Sequence, residues 1–303
     1  MAIDILCVGH ASFDLSVFVD SFPLEDSKCE TQDLRESGGG PAANAAYLLS
    51  AWGARCGFAG LVGNDGYGQR IQQEFRNVGT DISLLELRPG HATPVSIIVI
   101  NKKNGSRTIV NRKVATSALQ IEEAALRHLA PRMLLFDGHE LQASLAALRV
   151  FPEAVSILDA GSWREGTAKL AGQVDYLAAS QRFAVQATGL SDLSDAAAQR
   201  ACASRLRELY STIVIVTLGE NGLIADDGSG FFHLPAYPAR SVDTTAAGDI
   251  FHGAFAYGVA QSWSFLESLR FASLTASLSV RVPGGRSSIP SLENVKEEFA
   301  HAG

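Results

Sequence analysis

Short apolar, β-branched runs alternate with alanine-rich helical patterns along most of this chain, and that rhythm leaves few folds open. The runs at 3–8, 56–61, 132–136, 155–158, 176–178 and 212–217 are too short for helices and nearly continuous in apolar character, as strands covered on both faces must be. Helical stretches fill most of the gaps, so the chain reads as repeated βαβ units: a mostly parallel sheet with helices on both faces. One helix over 41–52 begins with Pro41 and stops at Gly53, and another over 69–78 stops at Gly79, following the preference for proline at helix starts and glycine just past helix ends. Three more helices are expected over about 247–261, 265–280 and 291–301.

Two regions break the rhythm. Residues about 12–35 and 92–113 alternate like strands, and Lys103-Asn104-Gly105-Ser106 joins 96–101 to 107–111 as a hairpin turn. These inserts are expected to form a small β-sheet lid at one edge of the core sheet. Such a lid could close over a ligand and exclude water, serve as a dimerisation surface, or do both. Past Thr217, Gly219, Gly222, Gly228 and Gly230 punctuate further short strands. The expected architecture is one α/β domain over 1–303, three α/β/α layers around a mostly parallel central sheet, with a lid. An apolar content of 47 % supplies ample core, while a net charge of −7 argues against a nucleic-acid surface. Cys7, Cys29, Cys56 and Cys202 are scattered without metal-binding spacing and read as free thiols in a reducing cytoplasm. No leader pattern and no run of 18 apolar residues is present, so neither export nor a membrane span is expected.

The chemistry concentrates at 242–253, where small residues and a carboxylate run into an apolar helical pattern. Backbone N–H groups in a helix's first turn, with the helix dipole, make an anion site that small residues let a ligand approach. Asp249 would repel an anion there, but it suits a base that takes a proton from an attacking hydroxyl. The competing reading is an acid that merely favours the dipole of its helix. A second glycine-rich element, Ser37-Gly38-Gly39-Gly40-Pro41-Ala42-Ala43-Asn44, enters the helix that begins at Pro41. Asn44 can donate to and accept from a sugar hydroxyl, although a glycine loop can also end a strand harmlessly. Asp14 and Glu140 follow apolar strands, at the carboxyl-end position where open α/β sheets bind ligands; each could orient hydroxyls or only cap a turn or helix start. The P-loop, the His-Arg-Asp catalytic loop and a correctly spaced Gly-x-Gly-x-x-Gly are all missing; 63–68 has the wrong glycine spacing.

With glycine elements at 38–44 and 243–249 and βα rhythm between them, the chain resembles the ribokinase-like (PfkB) carbohydrate kinases over essentially its whole length. Residues 270–273 and 281–286, with Asp243-Thr244-Thr245 and Phe251-His252-Gly253, look most like the sulfofructose kinase and ketohexokinase-like branch. The resemblance implies transfer of a phosphoryl group from ATP to a primary sugar hydroxyl, on a ketose or ketose derivative. Asp249 would be the base, and the backbone of Ala246, Ala247 and Gly248 the anion hole. Asp14, Gly39, Gly40, Asn44 and Glu140 would hold the sugar. Thr217 and Gly219 would approach the ATP phosphates, Gly222 would shape the turn beyond, and Ala272 and Thr275 would line the adenine pocket. Mg²⁺ would accompany ATP. K⁺ would sit between 243–245 and 284–288, and a homodimer would form through the lid. A nucleoside kinase of the same fold and a silenced ligand-binding protein are the alternatives.

Two departures qualify the likeness. Ala246 stands where the family has glycine, and its methyl disfavours a positive φ. Ser180-Gln181-Arg182-Phe183 replaces an Asn-x-x-Glu motif near the metal-bound phosphates, so Mg²⁺ would rely on ATP oxygens and water. His252, one turn past Asp249, reads as a packed histidine with a structural hydrogen bond rather than a ligand. Arg281 and Arg286 are as compatible with salt bridges or solvent as with an anion.

Overall fold

The computed structural model describes residues 2–113 and 117–302. Its strands in chain order are β1 (Ile5–Val8), β2 (Ser12–Val19), β3 (Leu34–Gly39), β4 (Cys56–Gly63), β5 (Asp81–Arg88), β6 (Val95–Asn101), β7 (Arg107–Arg112), β8 (Met133–Phe136), β9 (Val155–Ala160), β10 (Tyr176–Ser180), β11 (Ile213–Thr217), β12 (Leu223–Asp226) and β13 (Phe231–Leu234). Nine of them form one sheet in the order β13-β12-β11-β10-β9-β8-β1-β4-β5. Every pairing from β11 to β5 is parallel, and β12 and β13 add an antiparallel edge. The apolar runs are therefore central strands, while β5 forms the other edge. Its sequence, Asp81-Ile82-Ser83-Leu84-Leu85-Glu86-Leu87-Arg88, mixes polar with apolar residues because that edge is only half covered.

The helices are α1 (Pro41–Ala51), α2 (Gly66–Asn77), α3 (Glu123–Arg127), α4 (Leu141–Val150), α5 (Glu165–Leu170), α6 (Gln181–Thr188), α7 (Ala196–Tyr210), α8 (Ala247–Ala260), α9 (Phe265–Ser279) and α10 (Leu292–Ala302). Successive strand residues feed two separate cores, as the pleat demands. Ile5, Cys7, Met133 and Leu135 pack with α1, α2 and α8–α10. Leu6, Val8, Leu134 and Phe136 pack with α3–α7. The expected α/β/α layering follows from this alternation. α2 begins three residues before the expected 69, because the Asp65 side chain accepts from Gly68 N at 2.9 Å and caps a turn that Gly66 and Gly68 would otherwise weaken. No helix of the described residues is long and apolar enough to cross a membrane.

The inserts pair with each other in a four-stranded sheet of order β3-β2-β6-β7, with β6 and β7 joined by the expected turn over 103–106. Asp14 thus lies on the first lid strand, opposite Ser37 of β3 and Ser96 of β6. The lid reaches back to the core at Gly39, where β3 runs directly into α1.

Candidate active site

The two glycine elements start α1 and α8, and these helices bring Asn44 and Asp249 together. Asn44 Nδ2 donates to Asp249 Oδ2 at 2.7 Å, and Asn44 Oδ1 accepts from Arg286 Nε at 3.2 Å. Arg286 also donates from Nη1 to Glu74 Oε2 at 2.7 Å, and the Glu74 carboxylate accepts from Gly38 N at 2.9 and 3.0 Å. A continuous hydrogen-bonded chain therefore links lid strand, glycine element and Asp249. The Arg286 side chain is 3 % exposed and stacks on Tyr47 and Phe75. Of the readings left open for that arginine, the salt-bridged one describes it; Arg281 is exposed and donates to Pro238 O.

Around Gly38–Gly40 the glycines are sterically required. A Cβ on Gly39 would lie 2.1 Å from Asp14 Oδ2, and one on Gly40, whose φ is 101°, would lie 2.3 Å from His10 O. Asp14 is buried, and its Oδ1 accepts from Ser12 Oγ at 3.0 Å. Burial pushes its carboxyl up, against the Ser96 and Ser12 hydroxyls that favour the ionised form. Asp14, Gly39, Gly40 and Asn44 thus gather at the start of α1. Glu140 stands apart at the N-cap of α4, where its Oε2 accepts from Leu119 N at 3.1 Å and burial raises its carboxyl.

At the start of α8, Ala246 adopts φ 61° and ψ 6°, the left-handed geometry expected of glycine. Ala247 N donates to Thr244 O, while Gly248 N and Asp249 N have no acceptor among the described residues. A Cβ on Gly248 would meet nothing within 4 Å, so space lies open beside two free donors. Asp249 is pushed up to about 7, by burial first and then by Asp159 at the end of β9. Asn44, His252 and Arg107 oppose that rise. His252 Nδ1 lies 2.7 Å from Asp159 Oδ2 with both side chains buried, so the expected packed histidine has a carboxylate partner. Although burial disfavours the imidazolium, Asp159 raises its pKa. From the lid, Arg107 donates to Thr244 Oγ1, placing a cation over the start of α8.

A buried carboxylate not anticipated from the sequence, Asp137, lies at the start of α1. Its Oδ2 accepts from His10 N at 2.8 Å and Ala42 N at 3.2 Å, and its Oδ1 from His139 N at 2.9 Å. Burial would raise this group, but the adjacent His139 and these N–H donors hold it well below the usual carboxylate range.

Of the residues expected along the ATP phosphates, Thr217 ends β11, and Gly219 follows with φ 62° and open space at its Cα. Gly222 is required where it stands, because a Cβ there would lie 2.0 Å from Leu234 O. Ala272 and Thr275, expected in an adenine pocket, are fully buried in α9, with Thr275 Oγ1 donating to Phe271 O; neither side chain faces open space. The helix's inward stripe claims both positions. Asp243 joins the two segments expected around K⁺, accepting from Thr245 N and Gly284 N at 2.8 Å each. Among the described residues no group of three or more His, Cys, Asp or Glu could hold a metal ion.

Sequence reasoning missed Arg107, Asp159, Asp137 and Glu74. A lone arginine directly after a glycine hairpin turn marked Arg107, and acids one or two residues around a strand's carboxyl end marked Asp137 and Asp159. Glu74 carries no local sign, since its partners Gly38 and Arg286 are 36 and 212 residues away.

Three comparisons bear on this geometry. The sequence model of the pfkB family carbohydrate kinase matches residues 2–292. A ribokinase of Lactococcus lactis is 27 % identical, over 96 % of this chain and 95 % of its own length, and a ketohexokinase of Mus musculus is 27 % identical, over 88 % and 92 %. The crystal structure of a Thermotoga maritima ribokinase superposes with a TM-score of 0.82 at 25 % identity, covering 99 % of each chain.

Proposed function

Because the chain belongs to the pfkB family and is an ATP-dependent carbohydrate kinase, we propose that it phosphorylates a primary hydroxyl of a sugar, a ketose or ketose derivative, with Asp249 as the base. One observation carries this reading: the free N–H groups of Gly248 and Asp249 border open space beside a carboxylate poised at about 7 and held by Asn44. A general base is most effective with its pKa near the operating pH. Asp249 takes the hydroxyl proton as the oxygen attacks, while the α8 amides and Arg107 stabilise charge on the transferring phosphoryl group. Asp14, Gly39, Gly40 and Asn44 orient the sugar, and Thr217 and Gly219 lie along the nucleotide. Ser12, Asp14 and Ser96 beside the glycine element suit hydroxyls better than a stacked base, which favours a sugar over a nucleoside.

Among the described residues no acidic cluster builds a metal site of its own, and Mg²⁺ is proposed to enter as the ATP complex. K⁺ is proposed between 243–245 and 284–288, on the support of the Asp243 bridge. The chain is proposed to act in the cytoplasm, in keeping with four unpaired cysteines. A homodimer through the lid is supported by exposed Leu34, Ile97 and Val110; sedimentation at the 32.1 kDa monomer mass would remove it.

The test is ADP release from ATP and Mg²⁺ against ketoses, aldopentoses and nucleosides, with K⁺ or Na⁺. Sugar-dependent turnover abolished by Asp249→Ala is expected. Nucleoside-dependent turnover, or ATP binding without turnover on any acceptor, would overturn the reading.

A further inference from the structure

Arg286 carries a buried charge that takes no direct part in the transfer described above. Its Nη1 donates to Glu74 Oε2 at 2.7 Å and its Nε to Asn44 Oδ1 at 3.2 Å, while Cζ lies 4.9 and 4.7 Å from the ring centres of Tyr47 and Phe75. Glu74 is held in turn by Gly38 N. A Cβ on Gly38 would overlap Arg286 Nη1, so the first glycine of the triplet makes room for this guanidinium. Packing alone does not account for the arrangement, because an apolar side chain between Tyr47 and Phe75 would fill the space without the cost of burying an ion pair. What the arginine adds is a direction. A guanidinium can only donate hydrogen bonds, and an ionised carboxylate can only accept them. Asn44 stands between one of each, with Oδ1 on Arg286 and Nδ2 on Asp249 Oδ2 at 2.7 Å, so only one of its two amide orientations satisfies both neighbours.

Without the arginine, the carboxamide would follow the state of the base. It would donate to Asp249 when that residue is ionised, and turn over to accept from Asp249 when it is protonated. With the arginine in place, turning over would set the Asn44 amino group against a guanidinium that cannot accept. We propose that Arg286 is a positioning residue for catalysis: it locks the Asn44 carboxamide with its N–H groups on Asp249, denies the protonated base a hydrogen bond to Asn44, and leaves Oδ1 of Asp249 to receive the sugar proton. Oδ1 has no protein donor among the described residues, whereas Oδ2 stays under the Asn44 amide. Burial raises Asp249 most, followed by Asp159 of β9, against Asn44 of α1, His252 of α8 and Arg107 of β7; Asn44 is the one that meets it in a hydrogen bond. Around Arg286 stand Glu74 of α2, Tyr47 of α1 and Asp14 of β2. The lock thus works in one sense, keeping the base ionised to lower pH than a freely turning Asn44 would allow. This inference rests on the kinase reading of the site.

The experiment follows Asp249 in two ways, by the pH profile of kcat/KM for the sugar and by the carbon-13 titration of its carboxyl resonance, assigned by the loss of that resonance in Asp249→Asn. Both are measured in the full chain, in Arg286→Met and in Arg286→Lys. In Arg286→Met the acid limb and the carboxyl titration should move up together by about half to one pH unit, the worth of one hydrogen bond regained by the protonated form. On the acid side kcat/KM should then fall about three- to tenfold below the parent's, and the deficit should close at alkaline pH. Arg286→Lys keeps a group that can only donate and should return the limb most of the way. Where Arg286→Met does not fold because Glu74 is left without its partner, Arg286→Met combined with Glu74→Gln removes both charges and is read in the same way. A loss of kcat/KM by one factor at every pH, with the carboxyl titration unmoved, would make Arg286 a structural residue and overturn the inference; so would a limb that moves down. A parent without sugar turnover would remove the kinase reading, and the carboxyl titration alone then decides the lock: moved up in Arg286→Met it stands, unmoved it falls.

Discussion

Helices α1 and α8 both start on a residue with positive φ and no capping side chain, Gly40 at 101° and Ala246 at 61°, yet they treat their free N–H groups in opposite ways. At α1 the fold supplies the anion itself: Asp137 accepts from Ala42 N, and a Cβ on Gly40 would strike His10 O. At α8 no described residue accepts from Gly248 N or Asp249 N, and the space beside Gly248 is open. One helix start already carries a protein carboxylate on an amide, and the other carries none among the described residues. The difference teaches that a glycine-rich helix entry is not by itself a phosphate site; what matters is whether the protein has already neutralised it.

The largest test of this contrast is Asp249→Ala, expected to slow turnover by about 10²- to 10⁴-fold while ATP still binds in calorimetry. Turnover near the parent's would remove the chemical meaning of the open helix start. In the unaltered protein, kcat/KM should rise with pH up to about 7, because the base must lose its proton to act. Stability carries the same signature with opposite benefit. Between the ordinary carboxylate pKa of about 4 and the folded value of about 7, the unfolded chain ionises Asp249 while the folded protein keeps it protonated, so stability falls as pH rises. Melting temperatures of Asp249→Asn across that window should fall less steeply than those of the parent.

Next in size is Gly40→Ala, whose Cβ meets backbone at 2.3 Å with φ at 101°; about 3 kcal/mol of stability should be lost in denaturant titration. Gly248→Ala is its counterpart. The open space predicts stability unchanged or raised by up to about 1 kcal/mol, since alanine favours a helix, together with reduced turnover because the methyl stands where the phosphoryl group approaches. A Gly248→Ala protein that unfolds as readily as Gly40→Ala would erase the contrast. The smallest effect is that of Ala246→Gly, which relieves a left-handed alanine and should add about 1 kcal/mol, or about 2 °C in Tm, with turnover close to the parent's. A large gain in turnover would instead mean that alanine distorts the anion hole.

Much of the fold was legible because each central strand is a short apolar run and several helices, α1, α4, α7 and α8 among them, are alanine-rich intervals. The strand β5 escaped because an edge strand covered on one side does not read as a buried run, and the start of α2 because Asp65 caps a turn that glycines disguise. In the site, Asp249, Asn44 and the glycines stood out by local chemistry. Arg286 could not be assigned, since its burial depends on Glu74, Tyr47 and Phe75, each brought to it from a distant part of the chain. Thr275 shows the converse: its hydroxyl is spent on Phe271 O within its own helix.

By itself the sequence determined the alternation of strands and helices, the place of the lid inserts, and a carboxylate next to small residues at a helix start, because apolar periodicity and glycine chemistry act over a few neighbouring residues. Only the tertiary structure decided which helix start carries a protein carboxylate and which base is raised to about 7. Those properties come from charges and dipoles converging from distant parts of the chain, 205 residues apart for Asn44 and Asp249, at distances that folding alone sets.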